Sequence, residues 1–125
     1  MKPLTTALTW ICQLAGAAIL AMAGLGKLQA QPMDVETFSA LGMEPTGRIL
    51  IGILELIAAV GLLHPASAAY AALLGAGVLT GAGLAHLGPL GFQGIELFAP
   101  TYAALLIVLV ARWKQLPLSA SRTRH

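Results

Sequence analysis

Apolar residues run in four long stretches along this chain, Ala7 to Leu28, Gly47 to Leu63, Ala68 to Leu87 and Ile95 to Trp113. Each is bounded by turn chemistry or charge. Gln31-Pro32 comes after the first, His64-Pro65 separates the second from the third, Gly88-Pro89 and Gly91 come after the third, and Pro117 stops any helix beyond the fourth. A spanning helix needs roughly 20 mostly apolar residues, so the pattern predicts four of them, the second being the shortest. Between the first two lies a polar connection, residues 29–46, in which Val35, Phe38 and Leu41 recur at helical spacing after Asp34. This spacing predicts a short amphipathic helix on the outer interface, with Asp34 as its N-cap, and makes the segment a candidate lid or docking surface.

Within the stretches, about 100° of turn per residue groups small and polar residues on shared faces. Gln13, Gly16, Leu20, Gly24 and Lys27 share one face of the first helix, and Arg48, Gly52, Glu55 and Ala59 share one face of the second. Small residues let helices approach closely in lipid, so these faces are expected to point inward and carry the charges with them. The third stretch holds Gly75, Gly77, Gly81 and Gly83, with Gly77 and Gly81 at small-x-x-x-small spacing, expected to be packing devices. A gapless echo aligns Ala23 to Leu28 with Ala82 to Leu87 and sets Lys27 opposite His86, as a parallel duplication of a two-helix unit would.

Composition turns four helices into a membrane protein. With 125 residues, 58% of them hydrophobic and 10% charged, and a mean hydropathy of +0.83, the chain has too little polar surface for a soluble globule. The expected fold is all-α: an integral membrane four-helix bundle forming one domain over residues 1–116, with a basic tail at 117–125. Lys2, Arg112, Lys114, Arg122 and Arg124 flank one side of the bilayer and Lys27 and Arg48 the other. The excess of basic residues marks the cytoplasmic side, so both termini are expected there, with Trp10 and Trp113 at the inner interface and Asp34, Glu36, Glu44 and Glu96 outside. The net charge of +2 then reports topology and contact with anionic lipid rather than nucleic-acid binding. The first apolar run is longer than a signal-peptide core of roughly 7 to 15 residues, and Lys27 stands just before the cleavage-like Leu28-Gln29-Ala30, so a cleaved signal is not expected. Cys12 is the one cysteine, so the chain has no dithiol for thiol exchange, and Cys12 reads as a small packing residue.

Glu55 is the candidate site residue. It lies mid-stretch, more than two turns below the start of its helix, and a carboxylate at such depth costs several kcal/mol unless protonated, paired or hydrated. It reads either as a functional acid or as a neutral side chain holding two helices together. Lys27 and Arg48 have stems long enough to anchor at the interface or to reach down into a polar cavity. His86, at a helix end, is a candidate proton-transfer or ligand group or else a capping residue, and it is too far from Glu55 in depth for direct contact to be expected. His86, Glu55 and Glu96 lack a metal-ligand spacing, so no metal site is expected.

The ordered set Gly24-Leu25-Gly26-Lys27-Leu28, Phe38 to Gly42, Arg48 to Leu56, Gly61 to Pro65 and Ala85-His86-Leu87 resembles the DoxX-like family of small four-helix membrane proteins. The resemblance runs over nearly the whole chain up to the fourth helix. It implies a multi-pass protein of the bacterial plasma membrane and singles out Lys27, Glu55, Arg48 and His86. It also implies association with redox enzymes, stress-response systems or membrane-protein assembly. No flavin, haem or iron–sulfur motif is present, so no cofactor is detectable in the sequence and a self-sufficient redox enzyme is not expected. Two functions lead: an auxiliary redox subunit that binds a quinone or similar lipid-soluble carrier, and a non-catalytic assembly protein that docks a membrane or extracytoplasmic partner. A transport role is third, and would require a homo-oligomer because four short helices leave little room for a pore.

Overall fold

The computed structural model describes residues 2–87 and 98–115. Its helices are α1 (Pro3–Leu28), α2 (Pro32–Ala40), α3 (Thr46–Leu62), α4 (Ala68–Leu87) and α5 (Phe98–Ala111), with 3-10 turns at Pro65–Ser67 and Trp113–Gln115. Helix α1 starts about one turn ahead of the apolar run. Pro3 occupies its first position, where the missing amide is no loss and the fixed φ suits a helix start. The threonines that extend it fold back on their own helix: Thr6 Oγ1 donates to the Lys2 carbonyl and Thr9 Oγ1 to that of Thr5.

Helices α1 and α2 end in the same way. The Gln31 amide donates to the Gly26 carbonyl and the Ala30 amide to that of Lys27, while the Met43 amide donates to the Phe38 carbonyl and the Gly42 amide to that of Ser39. These are paired Schellman caps, each needing a left-handed residue after the helix. Ala30 supplies it at φ 55° and Gly42 at φ 70°. Helix α2 is therefore set between two left-handed corners, which turn it across the ends of α1 and α3.

Helix α1 packs on α3 and α5, α3 on α4, and α4 on α5, with α2 laid against α1 and α3. The interior is built from small residues, among them Ala17, Ala58, Ala59, Ala68 and Ala72, with Leu20, Leu62, Leu105 and Val108 filling the space between. Cys12 packs against this core. The large apolar side chains face outward instead: Leu8, Ile11, Met22, Leu50, Ile57, Val60 and Val110 are all exposed. A soluble protein rarely shows so continuous an apolar surface, whereas small residues inside and bulky ones outside suit helices packed in lipid. Pro3–Leu28 and Pro65–Ala85 are long and apolar enough to cross a membrane, and Ala99–Ala111 is a shorter apolar helix. With 17 residues, α3 is about 25 Å long, somewhat under the roughly 30 Å of a hydrocarbon core.

Two expectations are corrected. Asp34 does not cap α2: Pro32 takes the first helical position, Gln31 becomes the N-cap residue, and Asp34 falls in the first turn. Nor do Gly77 and Gly81 admit a neighbouring helix among the described residues, where a Cβ at either would meet nothing within 4 Å. Gly75 does the packing, with Leu105 and Leu20 side chains 3.0 and 3.2 Å from where its Cβ would be. Two residues along α4 is about 200° of rotation, so the face that carries Gly77 turns away from the one that carries Gly75.

Candidate functional site

The site begins where α1 and α3 cross. A Cβ on Gly24 would lie 2.8 Å from the Gly52 carbonyl oxygen, and one on Gly52 would lie 3.0 Å from Lys27 Cβ and 3.1 Å from the Gly24 carbonyl oxygen. Only glycine permits this approach. It brings the end of α1 over the middle of α3, one turn from Glu55.

Lys27 then does what its long stem allows and turns inward. Its Nζ lies 2.8 Å from Glu55 Oε1, with the two side chains 16% and 6% exposed. Lys27 is thus an internal partner of the buried acid rather than a surface anchor. Burying both charges is tolerable because each meets the other, and removing one alone would strand its partner. The same ammonium lies 3.9 Å from Asp34 Oδ1 on α2. Gly26 makes room for that carboxylate, since a Cβ there would stand 3.1 Å from Asp34 Oδ2.

Arg48 is buried as well, and it holds the chain on both sides. Its Nε donates to both carboxylate oxygens of Glu44 at 2.9 Å, and its Nη1 donates to the Lys27 carbonyl. That carbonyl already accepts from the Ala30 amide in the cap of α1, so the guanidinium takes the second lone pair of an oxygen at the helix end. The Glu44–Arg48 pair has i,i+4 spacing, a signal in the sequence that the charge stripes alone did not use. Of the four sequence candidates, the structure brings Lys27, Glu55 and Arg48 together. His86 is the next-to-last residue of α4, and its side chain, like Glu96, lies outside the described residues.

A second polar junction sits at the opposite end. Gln13, fully buried, donates from Nε2 to the Leu62 carbonyl at 2.7 Å, and its Oε1 accepts from Arg112 Nε at 3.1 Å. The Arg112 guanidinium lies over the Trp10 ring, 5.8 Å from its centroid. The first turns of α1 and the end of α5 therefore lie side by side.

Residues 11–111 match the model of a family described as the DoxX-like family. The chain belongs to the DoxX-like family. No curated protein and no solved structure matches it. Membership in the DoxX-like family agrees with the apolar exterior and with the two helices of membrane-crossing length among the described residues: this is a membrane protein of that family. In this DoxX-like chain the matched span takes in Lys27, Arg48 and Glu55 with the partners Asp34 and Glu44, and at the other junction Gln13 and Leu62, while Trp10 and Arg112 lie just outside it.

Proposed function

We propose that this DoxX-like protein is a four-pass protein of the bacterial plasma membrane with both termini in the cytoplasm, and that it serves as a non-catalytic auxiliary subunit. The Gln13 end, with Lys2, Arg112 and Lys114, is then the inner one. At the Lys27 end, Lys27 and Arg48 meet Asp34, Glu44 and Glu55, so its basic residues are offset by acids, as the outer side of the positive-inside rule allows. The observation that carries the auxiliary role is the Lys27–Glu55 contact at 2.8 Å. The buried acid is spent on a cation that fastens α1 to α3, which gives α2 a firm seat. Helix α2 shows Met33, Glu36 and Ala40 on its exposed side, and exposed methionine is common at adaptable binding surfaces.

A second reading has one observation in its favour. Lys27 lies between two carboxylates, so its ammonium could turn from Glu55 toward a carbonyl oxygen of a bound quinone, leaving Glu55 to handle the proton. Mass spectrometry of gently solubilised protein tests both readings. Wild type is expected to retain a stoichiometric protein partner that Met33→Lys loses, with no small molecule bound. A stoichiometric quinone on wild type that Glu55→Gln loses, without a protein partner, would overturn the subunit reading and establish the carrier one.

A further inference from the structure

The cluster at the Lys27 end is uneven. Among the described residues it holds three carboxylates, Asp34, Glu44 and Glu55, and two cations, Lys27 and Arg48. Arg48 is committed, since Glu44 takes its Nε with both oxygens and the Lys27 carbonyl takes its Nη1. One ammonium is left for two acids that sit on different elements, Glu55 on α3 and Asp34 on α2. It lies within 4 Å of both. The nearer contact is 2.8 Å, to Glu55 Oε1, and the farther one is 3.9 Å, to Asp34 Oδ1.

Helix α2 has the features of a strap. It is nine residues long and hangs between two left-handed corners, Ala30 and Gly42. It is pinned in the middle by Phe38, which is buried, and at its start by Asp34. From this geometry we propose that Lys27 is a shared latch: α2 and the buried Glu55 compete for its ammonium, so that relieving Glu55 of its charge tightens the strap and strengthening the Lys27–Glu55 pair loosens it. The device couples an event at the membrane-buried acid, such as proton uptake or contact with a cation, to the position of the surface helix. The coupling is reciprocal, since anything that draws Asp34 away from Lys27 returns the ammonium to Glu55. It holds for whatever meets the outer face of α2 and does not depend on a particular partner.

Hydrogen–deuterium exchange of the full chain in lipid nanodiscs reads the strap directly, because local openings report the stability of single elements. Glu55→Gln is expected to slow exchange of the amides from Val35 to Ala40 by about fivefold, the effect of roughly 1 kcal/mol at 298 K. Asp34→Asn is expected to speed it by a similar factor without speeding exchange in α1 or α3. Gly26→Ala, which crowds Asp34, should act like Asp34→Asn. Should Glu55→Gln fail to fold, Asp34→Asn and Gly26→Ala still decide the matter. Unchanged α2 exchange in those two variants, or faster α2 exchange in a folded Glu55→Gln, would overturn the latch.

Discussion

The two ends of the helical assembly do one job with different chemistry. At the Lys27 end, α1, α2 and α3 are joined by charges: Lys27 to Glu55 and Asp34, and Arg48 to Glu44 and to a backbone carbonyl. At the Gln13 end, α1, α3 and α5 are joined through one neutral amide that donates to the Leu62 carbonyl and accepts from Arg112. Ion pairs can be redistributed when a charge changes. An amide that uses its donor and its acceptor on fixed partners has no alternative arrangement nearby. The Gln13 end is accordingly the static junction and the Lys27 end the adjustable one, and α2 lies at the adjustable end.

Single substitutions can separate the two ends. Lys27→Met leaves the Glu55 carboxylate buried beside Asp34 without its cation, and should cost about 3 kcal/mol in reversible denaturation in detergent, the usual penalty for breaking a buried pair. Gly24→Ala drives a Cβ against the Gly52 carbonyl oxygen; backbone cannot turn aside as a side chain can, so a loss of about 2 kcal/mol is expected. Gln13→Leu removes the amide and leaves the Leu62 carbonyl and Arg112 Nε unpaired, worth about 1–2 kcal/mol. Its mark would be loosening of α5 and the end of α3 in hydrogen exchange, with α2 unaffected. The smallest effect belongs to Gly77→Ala, where a methyl meets nothing among the described residues. Better helix propensity should make it neutral or stabilising by somewhat under 1 kcal/mol, unless a second helix covers that face in the membrane, in which case the oligomeric state would shift.

Much of the fold and site is legible in the residues. Helical spacing places Gln13, Gly16, Leu20 and Gly24 on one face, and Arg48, Gly52, Glu55 and Ala59 on another, and all eight are buried. The pairing is not legible, because a stripe reports a direction and says nothing of the partner. Whether Lys27 anchors at the surface or turns inward depends on how closely α1 approaches α3, which the Gly24–Gly52 contact settles only once the crossing exists. Asp34 reads as a cap, three residues out of place, because an acid before an apolar repeat resembles one, whereas Pro32 starts the helix earlier. The acceptor for Gln13 leaves no trace in the sequence, since any residue at position 62 would supply a carbonyl freed by the end of α3. Gly77 and Gly81 show the limit of motif reading: the spacing is right for close packing, and the rotation of α4 turns them outward.

The central claim is that Lys27 and Glu55 act on each other across the α1–α3 crossing. A double-mutant cycle with Lys27→Met, Glu55→Gln and the pair together, read as unfolding free energy in detergent, measures that interaction apart from the separate losses. Mutual dependence predicts that the double variant is less destabilised than the two single losses combined, by at least about 1 kcal/mol. Additive losses within about 0.5 kcal/mol would contradict the account and leave two charges that share a place without holding the helices together.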